Sequence, residues 1–238
     1  MKTNHVLFLM LFAVFISCQQ EETVTNPEQQ NDVAENWKKV TPEKVFTIPE
    51  NGFSISKEAI ERALSLPEVT TIRFVLEVND AALQIRIVGA DQRGNTTEGM
   101  LATPILLEKT INKLFDEKST RFEKSIFSKS VASHIMQPED AVTFISRWQQ
   151  QFTDQTLETA VGYNGVRIEH FSMPAAVGEQ MLLSSSESIN LVWGVNPEGK
   201  FTTIFLPELD QEQRLFKNNE LIFEYSSPCP PTCPDLDN

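Results

Sequence analysis

Several sequence signatures of catalysis are missing from this chain of 238 residues. It contains no Gly-x-Ser-x-Gly elbow that would expose a serine nucleophile, no glycine-rich phosphate loop, no His-Glu-x-x-His zinc motif and no Cys-x-x-Cys pair. The chain has only three histidines and three cysteines. We therefore assign no catalytic residue, no metal ligand and no cofactor, and the sequence favours a non-enzymatic protein.

Basic side chains are also scarce. The chain has 20 Lys and Arg against 33 Asp and Glu, which gives a formal net charge of −13 at pH 7. A surface of that sign repels nucleic acid and anionic lipid headgroups. The composition therefore predicts no nucleic-acid partner, whereas a protein or glycan partner stays open.

The one long apolar run lies near the N-terminus, from Val6 to Ile16. It is too short for a membrane-spanning helix, which needs about 20 residues, and it suits the hydrophobic region of an export signal. Ser17-Cys18 follows directly and resembles the lipobox of bacterial lipoproteins, although Phe15 stands where leucine is usual. The pattern predicts a signal peptide over residues 1–17 and a lipid on Cys18 that anchors the protein in the membrane. A plain signal peptide with an incidental cysteine is the alternative.

Residues 18–35 have the composition of a flexible tether. From Gln19 to Glu35 there are five acidic side chains and no Lys or Arg, and such a segment cannot bury a core. An acidic stretch after the lipidated cysteine also resembles the surface-export signal of Bacteroidota lipoproteins. We therefore expect a lipid-anchored protein of the outer membrane, exposed at the cell surface. Removal of residues 1–17 would leave 221 residues with 19 basic and 33 acidic side chains, a net charge of −14.

Two cysteines remain for the mature chain, Cys229 and Cys233, both in the tail 227–238. In an exported protein such a pair favours a disulfide, and the two prolines between the cysteines can form the turn. So short a loop would stabilise the fold little, and a tail beyond the last predicted strand would have few neighbours. Free thiols and a metal site are the alternatives, but His134 and His170, which could supply further metal ligands, are distant in sequence.

Alternating apolar residues and capping signals predict an α+β fold over residues 36–226, built from amphipathic helices and antiparallel β-hairpins. Two units share the order helix, strand, strand. The first has a helix at Lys57–Leu66, capped by Ser56, and strands at Val69–Val78 and Leu83–Ile87; the second has a helix from Phe171–Pro174 to about Leu183 and strands at Ile189–Trp193 and Phe201–Leu206. Leu221–Tyr225 is predicted as the last strand.

The two units also match in sequence. The matched pairs are Phe53-Ser54 with Phe171-Ser172, Glu61 with Glu179, Leu64 with Leu182 and, after a one-residue insertion, Ile85 with Ile204 and Asp91 with Asp210. The matches suggest an internal duplication, with halves near 36–130 and 131–226. Two generic helix–hairpin units are the alternative.

Further helices are predicted between these units. Residues 106–126 have apolar side chains at helical spacing with a break near Ser119. A clearer helix runs from Pro138 to Phe152, and its apolar stripe consists of Ala141, Phe144, Ile145, Trp148 and Phe152. Such a stripe predicts burial in the core, with a partner-binding face as the alternative.

Three patterns allow a functional interpretation. Glu169-His170 and the serines at 184–186 could belong to a surface hydrolase, although the serine run has turn composition. Asp91 to Asn95 could bind calcium, but with Arg93 and Gly94 the segment does not match the Asp-x-Asp/Asn-x-Asp/Asn-Gly pattern of an EF-hand loop, so a β-turn is favoured. The basic stretch Lys109–Lys129 is either a solvated face, partly paired as in Glu117–Arg121, or a docking face for an acidic partner.

Three features resemble a group of exported Bacteroidota lipoproteins that has no assigned activity. They are Pro138-Glu-Asp-Ala141 with Ile145 and Trp148, the hairpin end Ile87-Val-Gly-Ala-Asp91-x-x-Gly94-Asn95, and the tail Cys229-Pro-Pro-x-Cys233. The resemblance implies lineage and export and carries no catalytic residue. The sequence thus predicts a membrane-anchored lipoprotein with a role in binding, assembly or envelope structure. The alternative is a surface hydrolase using His170 with a serine.

Overall fold

The computed structural model describes residues 34–154, 156–208, 221–224 and 227–231. The predicted α+β class is confirmed, because helices alternate with antiparallel sheets. The helices are α1 over residues 34–39, α2 Pro42–Val45, α3 Lys57–Leu64, α4 Glu108–Glu117, α5 Lys129–Ala132, α6 Pro138–Thr153, α7 Leu157–Ala160 and α8 Ala175–Leu182. The strands are β1 Asn51–Ser56, β2 Val69–Asn79, β3 Ala82–Asp91, β4 Met100–Leu101, β5 Thr103–Leu106, β6 Ile135–Met136, β7 Gly162–Tyr163, β8 Val166–Arg167, β9 His170–Pro174, β10 Ser188–Val195, β11 Phe201–Pro207, β12 Ile222–Glu224 and β13 Ser227–Cys229.

The two helix–hairpin units exchange their first strands. A six-stranded sheet has the order β5-β1-β10-β11-β12-β6, and a five-stranded sheet has the order β13-β9-β2-β3-β4. Strand β1 precedes α3 in the chain but pairs with β10 of the second unit, for example Phe53 with Leu191. Strand β9 precedes α8 but pairs with β2 of the first unit, where Phe171 lies opposite Phe74. Each sheet therefore contains strands from both units.

The main core lies between the two sheets. The ring centroids of Phe74 and Phe205 are 4.8 Å apart, and those of Phe171 and Phe201 are 5.5 Å apart. Helices α3 and α8 pack against this side of the five-stranded sheet, and the approach requires glycine. A Cβ on Gly89 would lie 1.8 Å from the carbonyl oxygen of Ala63 in α3.

The outer face of the six-stranded sheet is covered by α4 and α6. A second apolar cluster fills this layer, and its members are Leu107, Ile111, Leu114, Met136, Ala141, Ile145, Val192, Ile204, Leu206 and Ile222. The far end of α6 reaches the inter-sheet core through Trp148, which is fully buried and donates its indole N–H to the carbonyl of Pro49. The buried side chains of the α6 stripe thus belong to the core, as the helical spacing predicts.

Several predicted boundaries are confirmed. Ser56 caps α3, since its Oγ accepts a hydrogen bond from the N–H of Ala59, although the helix ends at Leu64. The two hairpins and the helix from Pro138 form as predicted. The helix predicted over 106–126 ends at Glu117.

Two predictions are wrong. Residues 170–174 do not begin a helix; they form β9, because pairing with β2 and β13 on either side satisfies their backbone. The segment at 221–225 is not the last strand, since β13 follows it and brings Cys229 into the five-stranded sheet. The start of the tail therefore has sheet neighbours.

The proposed duplication fits the helical part of each unit better than the hairpins. Helix α8 begins and ends 118 residues after α3, so Glu61 and Glu179 are equivalent, as are Leu64 and Leu182. The match of Ile85 with Ile204 fails, because Ile85 belongs to the inter-sheet core and Ile204 to the cluster beneath α6. Asp210 lies outside the described residues.

Candidate functional site

The residues predicted for anchoring and for the disulfide fall largely at the ends of the chain. Cys18 and Cys233 lie outside the described residues, so lipidation and the pairing of the two tail cysteines stay predictions. Cys229 is buried and disulfide-bonded, and it lies opposite His170 across the β13–β9 pair. The disulfide is therefore beside the histidine that the sequence singled out.

The serines at 184 and 186, in the run after α8, have hydrogen-bond partners other than His170. Ser184 Oγ accepts the N–H of Ser186, and Ser186 Oγ donates to the carbonyl of Glu208, so these side chains close the turn. The Glu169 carboxylate forms an ion pair with Lys38, with 3.2 Å between Oε1 and Nζ, and does not bind the neighbouring His170. Within the described ranges, no hydrogen bond joins the His170 imidazole to a serine.

The loop from Asp91 to Asn95 is a capped turn. The Asp91 carboxylate accepts hydrogen bonds from the N–H groups of Arg93 and Asn95 at 2.8 and 2.9 Å, and from Asn95 Nδ2 at 2.7 Å. These hydrogen bonds lower the pKa of Asp91, and the bond from the Asn95 side chain has the largest effect. The described residues contain no group of three His, Cys, Asp or Glu that could hold a metal ion. The β-turn interpretation is thus the one the geometry supports.

The basic stretch 109–129 pairs differently from the predicted Glu117–Arg121 contact. Arg121 instead forms an ion pair with Glu139 in the first turn of α6. Both side chains are exposed, so this pair contributes little to stability.

A polar surface lies on the side of the five-stranded sheet that faces away from the core. Strand alternation sends Phe74 and Phe171 inward and therefore sends Arg73, Ser172 and His170 outward. Arg73 lies directly opposite Ser172, and His170 is two residues before Ser172 on the same strand. We call the outward side chains Arg73, Glu77, Arg86, His170 and Ser172 the polar face.

One end of the polar face carries a closed ion pair. Arg86 donates from Nε and Nη2 to the two carboxylate oxygens of Glu77, at 2.7 and 2.9 Å. The side chains are 8% and 1% exposed. Such a two-point contact satisfies both charges, because the guanidinium fork matches the carboxylate geometry.

The other end of the polar face has three side chains with unused hydrogen-bonding atoms. Arg73 Nε, His170 Nε2 and Ser172 Oγ are each shielded from solvent and have no hydrogen-bond partner within the part of the chain that the structure describes. Burial, and then the charge of Arg73, lowers the pKa of His170 to about 4. The imidazole is therefore neutral at pH 7. We call Arg73, His170 and Ser172 the open triad.

Sequence reasoning found two members of this triad only in part. The alternation of apolar residues in Val69–Val78 puts Arg73 on the face opposite Phe74, and the sequence singles out His170 beside Glu169. Ser172 was assigned to a helix start. Only the pairing of β9 with β2 brings it opposite Arg73, and no local signal in the sequence encodes that pairing.

A polar cleft of about 570 Å³ lies beside the β7–β8 hairpin. Its cations already have partners. Arg167 binds both carboxylate oxygens of Glu158 at 2.6 Å, and Lys200 donates to the carbonyls of Thr159 and Gly162. We interpret these contacts as structural, because they join the β7–β8 hairpin to α7 and to the turn that precedes β11.

An apolar groove of about 430 Å³ opens beside edge strand β5. Its lining includes Phe46, Phe53, Leu83, Ile105 and Trp193. The groove continues the inter-sheet core toward solvent. The ring centroid of Trp193 lies 5.9 Å from that of Phe53 and 5.7 Å from that of Phe46. The polar atoms that would orient a ligand are few there.

A second perturbed group lies at the edge of the α6 layer. Burial raises the pKa of Glu224 to about 7, while the Thr202 hydroxyl, which donates to its carboxylate, opposes the shift. Asp140 and Lys124 act on Glu224 in opposite directions. The raised pKa places the ionisation of Glu224 in the neutral pH range.

Comparison of the chain with protein families, with curated proteins and with solved structures found no match. Among the described helices, none is long and apolar enough to cross a membrane.

Proposed function

We propose that this protein is a lipid-anchored lipoprotein of the bacterial outer membrane, exposed at the cell surface, that works by binding rather than by catalysis. The binding part rests on one observation, the open triad. It gathers a guanidinium, an imidazole and a hydroxyl that hold unused hydrogen-bonding atoms, without a nucleophile bonded to a base. Such an arrangement can hold a ligand but has no assembled route for acyl transfer.

The anchor is tested by the change Cys18→Ser. The short apolar run and the Ser17-Cys18 pair motivate it, because lipidation needs the cysteine thiol. The variant is expected in the soluble fraction, whereas Ser17→Ala, which keeps a small residue before Cys18, should remain in the membrane fraction. A Cys18→Ser protein that sediments as fully with membranes as the wild type would refute the anchor.

The hydrolase alternative is tested by assaying p-nitrophenyl acetate turnover. A general base within hydrogen-bond reach of a serine is needed for that reaction. We expect the wild type and His170→Gln to show the same rate, equal to background. A rate that falls to background only in His170→Gln and Ser172→Ala would instead establish the hydrolase.

A further inference from the structure

The two arginines of the polar face differ in one respect that points to a ligand. Arg86 has an internal carboxylate partner, Glu77, on the same sheet surface. Arg73 has none: it makes no ion pair and donates no hydrogen bond to any described residue. Asp91 attracts it from a distance, but that carboxylate is already committed to the Asn95 turn. A half-buried guanidinium without a counter-charge is costly unless an anion joins it.

Ser172 and His170, the neighbours of Arg73, are hydrogen-bond donors that also have an atom without a partner among the described residues. Ser172 is 8% exposed and its Oγ has no partner. A neutral imidazole retains one N–H, so His170 can donate without adding a second positive charge. Paired strand residues have Cβ atoms about 5 Å apart, and diagonal neighbours are within reach of long side chains. One small group lying on the outer face of the sheet, over the β2–β9 pair, could therefore contact all three.

We propose that the open triad, Arg73, His170 and Ser172, binds the carboxylate group of a ligand. This inference rests on the proposed binding function and names the chemistry that the site takes. The guanidinium provides the charge and a two-point contact, and the hydroxyl and imidazole N–H satisfy the remaining lone pairs of the carboxylate.

The charge at the site favours a carboxylate over a phosphate. One guanidinium and two neutral donors match a single negative charge. A phosphate monoester carries about −1.5 to −2 charges at pH 7 and would leave part of that charge unpaired in a chain whose net charge is already negative. A planar, singly charged carboxylate also fits the guanidinium fork.

The histidine content of the chain offers a direct test. After removal of the signal peptide only His134 and His170 would remain, so the ring Cε1 of histidine, labelled with ¹³C, gives two NMR signals. The full lipidated chain in detergent is titrated with sodium acetate, sodium phosphate or sodium chloride at equal ionic strength. The signals are assigned with His134→Gln and His170→Gln.

We expect acetate to shift the His170 signal saturably and to leave the His134 signal in place. Arg73→Gln should weaken acetate binding about tenfold or more, because it removes a charged hydrogen bond. Ser172→Ala should weaken it about threefold, and Arg62→Gln, which alters an exposed arginine paired with Glu58, should leave it unchanged. Arg73→Lys keeps the positive charge but loses the two-point guanidinium contact. Its affinity for acetate should lie between those of the wild type and Arg73→Gln.

Three results would overturn the inference. Chloride could shift His170 as strongly as acetate, phosphate could bind more tightly than acetate, or Arg73→Gln and Arg73→Lys could both bind acetate as the wild type does. Each would reject the carboxylate site while leaving the proposed anchor and the absence of turnover intact. Membrane release by Cys18→Ser and the esterase assay test those separately.

Discussion

The outer faces of the two sheets have opposite character, although each sheet combines strands from both helix–hairpin units. The six-stranded sheet presents Val192 and Ile204 outward, and α4 and α6 cover them with apolar side chains. The five-stranded sheet presents Arg73, His170 and Ser172 outward, beside the Glu77–Arg86 pair. The same strand order can thus support a structural layer on one sheet and a polar surface on the other.

The difference shows where function can be located in such a fold. The inter-sheet core needs only apolar side chains on one side of each hairpin, so the other side is free to change. On the six-stranded sheet that side binds helices of the same chain. On the five-stranded sheet it carries polar atoms that have no hydrogen-bond partner among the described residues.

The strongest test of this contrast is Trp148→Ala. Trp148 joins the α6 layer to the inter-sheet core and is fully buried. Its truncation should lower the free energy of unfolding by about 3–5 kcal/mol, the usual range for a buried large aromatic. Urea denaturation followed by circular dichroism measures it. An unchanged midpoint would mean that α6 does not hold the six-stranded sheet.

The two arginines of the polar face should respond differently to mutation. Glu77→Ala leaves the buried Arg86 without its counter-charge and should cost about 3 kcal/mol. The double change to Glu77→Leu and Arg86→Leu removes both charges and should cost less than about 1 kcal/mol. Both values come from urea unfolding midpoints.

Arg73→Leu is the matched comparison. Because Arg73 has no hydrogen-bond or ion-pair partner among the described residues, its replacement should not lower the free energy of unfolding. A loss as large as that of Glu77→Ala would show that Arg73 has a structural role, and would weaken the contrast between the two arginines.

The pH dependence of Glu224 tests the edge of the α6 layer. Its folded-state pKa of about 7 lies above the ordinary 4.5, so the charged form is disfavoured in the fold. Above pH 7 the charged Glu224 lowers the free energy of unfolding of the wild type. This destabilisation declines as the pH falls from 7 to 4.5 and is absent below 4.5. Glu224→Gln should therefore stabilise the protein at pH 8, by on the order of 1–2 kcal/mol after allowance for solvent screening, and have little effect at pH 4.

His170, on the polar face, makes stability depend on pH in the opposite direction to Glu224. Its folded-state pKa of about 4 lies below the ordinary 6.5, so protonation favours the unfolded chain. Its contribution to stability is present above pH 6.5 and is lost as the pH falls toward 4. The melting temperature should be measured at several pH values from 4 to 8. Glu224→Gln and His170→Gln should change the slope of melting temperature against pH in opposite directions. Equal slopes in both variants would contradict these pKa directions.

The smallest expected effect is that of the tail disulfide. A loop closed by Cys229 and Cys233 would be too short to constrain much chain entropy, and β13 is also held by pairing with β9. Mild reduction should change the free energy of unfolding by about 1 kcal/mol. Alkylation and mass spectrometry without reductant test the pairing, and two alkylated cysteines in native protein would refute it.

Local patterns in the sequence determined much of the secondary structure. The alternation in β2, β3, β10 and β11 and the helical stripe of α6 reflect side-chain periods of two and 3.6 residues, which a few neighbouring positions reveal. The cap at Ser56 is equally local. The anchor at Cys18 likewise rests on a contiguous pattern, and it stays a prediction.

The strand exchange and the open triad were decided only by the tertiary structure. Phe53 pairs with Leu191, and Arg73 pairs with Ser172, across separations of about a hundred residues or more. Short strands such as β9 and β13 have too few residues to show a period, and their stability comes from neighbouring strands. The sequence therefore identified His170, but only strand pairing brought His170 and Ser172 to Arg73, because backbone hydrogen bonds between distant segments leave no local signature.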